Sequence, residues 1–258
     1  MQILKSLWIV VICAAVPAYA LPCGMHREAG TALPYSAGEE LSYHMRVGGV
    51  SAGRAHLKIG SLERTPYGVG YPIRADLETN AYAAFATDLA GKFLSLLDPR
   101  SQESRFYRSK LNQSKGSISD RAVRNGGVIR FEHAKGKRRK EGTLRGALID
   151  PVQLIYGMRD LQFKQGQKVC LRMYAYSGLN RLRGRVIGKE TISTAAGDVE
   201  AWRIDLFLKR GSSSYKVRMW VGKESSRPLW RAELSHPKGV LRVDLDRHIL
   251  GKKRIVRL

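Results

Sequence analysis

The stretch LSYHMRVGGVSAGRAHLKI, residues 41–59, decides the fold because its apolar and polar side chains alternate on both sides of a double glycine. Every second residue from Leu41 to Val47 is apolar, and the residues between them are polar. In an extended chain successive side chains point to opposite faces, so one face of this segment is dry and the other is wet. Gly48 and Gly49 interrupt the alternation, which then resumes. The stretch therefore predicts a β-hairpin.

The same two-residue rhythm recurs along most of the chain. Further strands are predicted at about 69–77, 101–111, twice within 117–134, and at 168–176, 182–186, 190–194, 199–208, 214–221, 229–234 and 239–245. Short turns separate them, which favours antiparallel sheets with one buried face. The predicted fold class is mainly β, as a large antiparallel two-sheet sandwich or open barrel with one or two short helices.

Two segments depart from the strand pattern. Residues 80–96 are rich in alanine and begin with Asn80, a good N-cap, so they predict a short helix. Asp150 and Pro151 predict a second helix ending near residue 161, because aspartate caps well and proline is tolerated at the first helical position.

The first twenty residues predict export. A short start with Lys5 is followed by the apolar run Leu7–Ala15 and by small residues at 18 and 20, so cleavage is expected after Ala20. The apolar run is too short for a permanent membrane span, and the mature protein is predicted to be periplasmic or secreted. The predicted organisation is a signal peptide at 1–20, an irregular segment at 21–37, one β-rich domain at 38–250 and a basic tail at 251–258.

The chain is strongly basic, with 45 Lys and Arg against 22 Asp and Glu and a formal net charge of +23. Such a surface attracts polyanions. The export signal argues against nucleic acid, and it favours anionic lipid, lipopolysaccharide or another anionic envelope component as the partner. The alternative is that the charges lie on solvated strand faces and bind nothing specific.

Two cysteines, Cys23 and Cys170, remain after the predicted cleavage. An oxidising compartment allows a disulfide between them, which would tie the mature N-terminus to a central strand. The alternative is that Cys170 is simply a buried strand residue.

One motif suggests catalysis. Gly49-Val50-Ser51-Ala52-Gly53 matches the G-x-S-x-G nucleophile elbow, which needs a strand before the serine and a helix after it. A strand pattern follows here, so a hairpin turn is favoured over a Ser51 nucleophile. The sequence nominates no catalytic residue.

Metal and acid–base chemistry find little support. The histidines are His26, His44, His56, His133, His236 and His248, and none has the spacing of a metal motif. A metal shared by His44 and His56 across the hairpin is weighed against a solvated polar face, which is commoner. No cofactor is predicted.

Tryptophans and arginines are interleaved in three late strands, at Trp202-Arg203, Arg218-Met219-Trp220 and Trp230-Arg231. Because neighbouring strand residues point to opposite faces, the tryptophans are expected in the core and the arginines outside.

The pattern as a whole resembles the exported bacterial family known as domain of unknown function 3108. The residues that carry the resemblance are Gly38-Glu39-Glu40-Leu41-Ser42-Tyr43, Gly49, Gly53-Arg54-Ala55, Ile149-Asp150-Pro151-Val152-Gln153-Leu154-Ile155-Tyr156, Arg159, Gly166, Val186-Ile187-Gly188-Lys189-Glu190, Gly197-Asp198-Val199-Glu200-Ala201, Met219-Trp220-Val221 and Arg227-Pro228-Leu229. The resemblance implies an exported antiparallel β protein of two curved sheets and carries no activity. The chain departs from it in residues 80–97 and in its charge.

Three functions are therefore considered. The leading hypothesis is a non-enzymatic envelope protein whose curved sheets cradle an apolar group while a basic rim meets anionic headgroups. The second is a structural module that docks on an envelope protein through a sheet edge and has no small ligand. The third is a serine hydrolase that uses Ser51.

Overall fold

The computed structural model describes residues 33–79, 89–113, 116–175, 177–210, 213–236, 239–251 and 253–257. In these residues the chain forms one helix, α1 (Pro151–Asp160), and sixteen strands. The strands are β1 (Glu40–Val47), β2 (Val50–Ile59), β3 (Glu63–Thr65), β4 (Gly68–Thr79), β5 (Leu89–Leu97), β6 (Ser104–Gln113), β7 (Gly116–Asn125), β8 (Val128–Lys135), β9 (Arg138–Arg145), β10 (Lys168–Ala175), β11 (Gly178–Thr194), β12 (Gly197–Arg210), β13 (Ser213–Gly222), β14 (Leu229–His236), β15 (Gly239–Leu250) and β16 (Lys253–Arg257).

The strands form one antiparallel sheet that curls without closing. Its order is β10-β11-β12-β13-β14-β15-β1-β2-β4-β5-β6-β7-β8-β9, with β3 and β16 paired at the side of β4 and β15. Strands β9 and β10 are the two ends of this order. The predicted mainly β, antiparallel fold class is confirmed, in the form of the open barrel.

Helix α1 lies inside the curl. Asp150 caps it by accepting hydrogen bonds from the backbone N–H groups of Val152 and Gln153, both at 2.9 Å. The helix contacts β4 and β5 on one side of the curl and β10 and β13 on the other. Tyr156 and Met158 are fully buried between these strands. The face of each strand that points toward α1 is called the inner face below, and the opposite one the outer face.

Apolar side chains of the protein itself fill this interior. One cluster joins α1 to β1, β2, β4 and β12–β15, and a second joins it to β10–β14. Two cavities in the described part of the chain, of about 460 and 760 Å³, are lined mainly by polar and charged residues. The expected apolar cradle for a ligand gains no support from this arrangement.

The sheet overlaps itself near its open ends. Tyr174 and Leu179 lie on the outer side of β10 and β11, opposite the inner residues Leu171 and Leu182. They pack with aromatic and aliphatic residues of β6, β7 and β8, including Tyr107, whose ring centre is 6.1 Å from that of Tyr174. Strands β6–β9 therefore form a flap over one end of β10 and β11.

Several sequence predictions need correction. The helix predicted at 80–96 is wrong from residue 89 onward, because Leu89–Leu97 is strand β5, paired with β4 and β6. Residues 80–88 lie outside the described residues. The alternation of small and large side chains in β5 fits a strand between two neighbours, and Leu96 and Leu97 are both buried.

Three further boundaries differ. The basic segment at 135–140, where no strand is predicted, is a tight turn followed by β9, because Arg138–Lys140 pairs with β8. The strands predicted at 182–186 and 190–194 are one strand, β11, since Gly188 forms a bulge rather than a turn. The predicted basic tail at 251–258 contains strand β16, which pairs with β15.

Candidate functional site

Six cations lie together on the outer face of β10, β11 and β12, and we call them the basic face. Alternate residues of β11 point the same way: Leu182 and Val186 are buried on the inner face, and the arginines at 181, 183 and 185 are exposed on the outer face. The six residues of the basic face are Lys168, Arg172, Arg181, Arg183, Arg185 and Lys209.

Strand register places five of these six cations directly opposite another cation. Lys168 pairs with Arg185, and Arg172 pairs with Arg181. Arg181 also faces Lys209 on its other side. Like charges in such cross-strand positions destabilise a sheet. Among the described residues, none of the six makes an ion pair or a side-chain hydrogen bond.

An exposed aromatic residue stands at the centre of the basic face. Phe207 lies opposite Arg183 in the register and its surface is 54% exposed. A large apolar side chain surrounded by cations is typical of a surface that contacts something both anionic and apolar.

Several cations elsewhere on the same sheet are compensated. Asp205 accepts hydrogen bonds from Arg203 and forms an ion pair with Lys216, whose Nζ is 3.3 Å from the carboxylate. Asp244 lies within 3.0 Å of guanidinium nitrogens of Arg46, Arg231 and Arg242. Asp205 lies opposite Arg185 of the basic face, but its ion pairs go to Arg203 and Lys216.

A hydrogen-bonded cluster fixes the flap next to the basic face. The Tyr174 hydroxyl donates to Asp120 at 3.1 Å, and His133 contacts the same carboxylate oxygen at 2.9 Å. Burial raises the pKa of the Tyr174 hydroxyl, and the nearby Asp120 charge raises it further. Ser109 lies opposite Asp120 in the register, so the acid stands between serine and histidine. This order differs from a catalytic triad, in which histidine is central.

A buried ion pair holds the interior together. The Arg159 guanidinium, on α1, donates to both carboxylate oxygens of Glu39 at 2.9 and 2.6 Å, and His248 contacts one of them at 2.6 Å. Arg159 also donates to three backbone carbonyls, at Pro34, Ser226 and Arg227. Arg159 and Glu39 are fully buried, which assigns them to the stability of the fold rather than to contact with a partner.

The G-x-S-x-G motif forms the β1–β2 hairpin and the start of β2, as favoured from the sequence. The Ser51 hydroxyl lies 2.9 Å from His44 Nε2, and strand rather than helix follows the serine. The elbow geometry that a nucleophile needs is absent at Ser51. His44 and His56 share the outer face but do not pair, because His44 faces Arg54 and His56 faces Ser42.

The other predicted residues are placed as follows. Cys170 lies on β10, partly buried and opposite Arg183. Cys23 lies outside the described residues, so the disulfide stays a prediction. In the described ranges no cluster of three or more His, Cys, Asp or Glu side chains is arranged for a metal ion.

The tryptophan prediction holds in part. Trp220 and Trp230 are in the core, but Arg231 is also buried, against the expectation that the arginines lie outside. The register shift between β13 and β14 at Trp220 brings the Arg231 guanidinium over the Trp220 ring at 5.8 Å, and Asp244 neutralises it.

Comparison with known proteins gives one family and a fold. The family model described as protein of unknown function, DUF3108, matches residues 42–246. No curated protein sequence matches the chain. A β-barrel-like protein of domain of unknown function DUF1849 from Brucella abortus is similar in structure, with a TM-score of 0.58, 10% sequence identity and coverage of 84% of this chain and 98% of that one.

Two further structures overlap more loosely. A candidate exported protein with a YmcC-like fold from Bacteroides fragilis has a TM-score of 0.34 and 11% identity, over 84% of this chain and 97% of its own. A candidate lipoprotein from Parabacteroides distasonis has a TM-score of 0.33 and 11% identity, over 84% and 98%. Within the described residues no helix has the length and apolar character needed to span a membrane.

Proposed function

The chain belongs to the DUF3108 family of proteins of unknown function, and we propose that it is a non-enzymatic, exported envelope protein whose basic face binds anionic lipid headgroups. The proposal rests on one observation above all: five of the six cations lie opposite another cation on β10–β12, and Asp205, the acid opposite Arg185, is bonded to Arg203 and Lys216 instead. A sheet gains nothing from this repulsion, whereas an external anion would relieve it.

Magnitudes support a membrane-sized partner. Each Lys or Arg near an anionic bilayer surface contributes about 1 kcal/mol, so six contribute up to about 6 kcal/mol before ordering costs. Phe207 adds an apolar side chain that can enter the interface, since it is 54% exposed. Charge and an apolar anchor together favour a lipid surface over a small soluble anion.

The predicted signal peptide supports an envelope location. It would deliver the mature protein to a compartment where lipid headgroups and lipopolysaccharide phosphates are the abundant polyanions. The described residues place Ser51 in a hairpin instead of a nucleophile elbow, which favours a binding role over the serine hydrolase.

Vesicle co-sedimentation of the mature chain tests the proposal. The triple variant Arg181→Gln, Arg183→Gln, Arg185→Gln should bind phosphatidylglycerol vesicles about 100-fold more weakly, since three surface cations are worth about 3 kcal/mol. The matched control removes three exposed arginines of the flap, Arg130→Gln, Arg138→Gln and Arg145→Gln.

The control variant carries the same net charge as the test variant. It should keep vesicle binding within about fivefold of the unmodified protein, because its cations lie outside the basic face. Equal loss in both variants would mean that only net charge matters, and it would overturn the assignment to this face. A third arm with lipid A separates lipopolysaccharide phosphate from phospholipid as the anion.

A second candidate function is a protein-docking module that uses a sheet edge. Strand β9 favours it, since it ends the strand order and most of its residues are exposed. Binding of a stable protein partner by the triple variant, together with absence of vesicle binding by the unmodified chain, would favour this candidate over the first.

A further inference from the structure

A depression of about 460 Å³ lies on the outer face of β15, β1, β2 and β4, several strands away from the basic face. Its rim carries two arginines, Arg54 and Arg247, and three acids, Asp76, Glu78 and Asp246. All five residues are exposed at the surface. The depression therefore combines both signs of charge around one hollow of ligand size.

The charges of this rim stay apart although the register offers them partners. Arg54 lies directly opposite Glu78, and His56 directly opposite Asp76. Opposite charges in such positions normally attract across neighbouring strands. Among the described residues, none of the two arginines and three acids makes an ion pair or a side-chain hydrogen bond.

The adjacent row of the same face behaves differently. Glu40 and Lys58 are also opposite each other, and their charged atoms are 2.8 Å apart. The hydrogen bond from Lys58 lowers the pKa of the Glu40 carboxyl. Separation of opposite charges is thus a property of the depression and not of the whole face.

Two further features shape the hollow. A register shift between β1 and β15 at Ser42 inserts Asp246 as an extra residue at the rim. Such bulges redirect side chains and occur often beside functional sites. Ser42 also fixes one ring nitrogen of His56 at 3.1 Å, which orients the imidazole within the lining.

We propose that this depression binds a phosphoethanolamine group. Arg54 and Arg247 would hold the phosphate, because guanidinium groups match phosphate oxygens. The ammonium would lie beside Asp76 and Glu78 on β4. A ligand with both charges would therefore pair with groups of each sign at the rim. The site is independent of the proposed function of the basic face.

Calorimetry on the mature chain at low ionic strength tests the site with O-phosphoethanolamine, inorganic phosphate and ethanolamine as separate probes. O-phosphoethanolamine should bind at least about tenfold more tightly than either half, because both ends contribute to one binding event. The variants Arg54→Gln and Glu78→Gln should each weaken its binding about tenfold, the effect expected for loss of one charge-assisted contact.

Matched controls come from β3. Arg64→Gln and Glu63→Gln remove exposed charges outside the depression and should leave the affinity within about twofold. Equal affinity for phosphate and O-phosphoethanolamine would overturn the proposal. An unchanged affinity in Glu78→Gln, or no binding of O-phosphoethanolamine, would overturn it as well.

A last pair of measurements identifies the source of the group. Vesicles that contain phosphatidylethanolamine should bind in an Arg54-dependent manner if the ligand is a lipid headgroup, and only the soluble compound should bind if it is a free solute. The triple variant of the basic face should retain O-phosphoethanolamine binding. Loss of O-phosphoethanolamine binding in the triple variant would mean that the two surfaces act as one site, and it would contradict a separate site.

Discussion

Replacement of Arg159 by leucine should remove a large part of the free energy of unfolding of this protein. Arg159 is fully buried on α1 and joins the helix to Glu39, the residue just before β1. It also donates to the carbonyls of Ser226 and Arg227, between β13 and β14. One side chain therefore connects the helix to the start of β1 and to the segment between β13 and β14.

The magnitude follows from what the substitution leaves behind. Breaking a buried ion pair by removing one partner costs about 3–5 kcal/mol, because the other charge stays buried. Of its partners among the described residues, the Glu39 carboxylate would retain His248 at 2.6 Å, and three carbonyls would lose a donor. Against a typical total stability of about 5–15 kcal/mol, this loss is about a fifth or more.

Urea denaturation followed by tryptophan fluorescence measures the change, since Trp220 and Trp230 are buried in the core. The double variant Arg159→Leu, Glu39→Leu should recover about 1–3 kcal/mol relative to Arg159→Leu, because it removes the stranded charge. A loss below about 1 kcal/mol in the single variant, or strictly additive effects in the double one, would refute the reasoning.

Three further predictions concern other parts of the molecule. Asp244→Asn should cost about 2 kcal/mol at neutral pH. Burial raises the pKa of the Asp244 carboxyl, but hydrogen bonds from arginines outweigh this effect and lower the pKa. The unmodified protein should therefore lose this contribution as the pH falls below about 4, whereas the variant has none to lose. Urea titrations at pH 3 to 7 would reveal the difference. Tyr174→Phe should lower the free energy of unfolding by about 1–2 kcal/mol, because it removes the hydrogen bond to Asp120. Amide hydrogen exchange should become faster in β7. Unchanged protection of β7 would contradict a flap fixed by this bond. Alkylation of the unreduced mature chain followed by intact mass should show no labelled thiol if Cys23 and Cys170 are bonded, and two labels would contradict the disulfide.

Much of the fold could be predicted because its information is local. The alternation in residues 41–59 needs only the period of a strand, and the structure forms the hairpin there. Asp150 and Pro151 carry their capping chemistry in two adjacent residues, and α1 begins at Pro151. The alanine-rich residues up to 96 misled because Leu89–Leu97 is stabilised by neighbours on both sides, which no local propensity reports.

The candidate sites were harder to find, because they depend on contacts between residues that are far apart in the sequence. Three alternate arginines at 181, 183 and 185 are a readable signal, since they share one face of a strand. Their opposition to Arg172 and Lys209 depends on register, which the sequence does not show. The Glu39–Arg159 pair joins residues 120 positions apart, although both lie in motifs that the family resemblance singled out.

Measurement of stability and vesicle binding on one sample of the triple variant Arg181→Gln, Arg183→Gln, Arg185→Gln tests the role of the basic face most directly. If these cations are kept for an external anion, binding to phosphatidylglycerol vesicles should fall about 100-fold while the melting temperature at low salt stays equal or rises, because repulsion across β10–β12 is relieved. Unchanged vesicle binding, or binding lost only together with a lower melting temperature, would contradict the account.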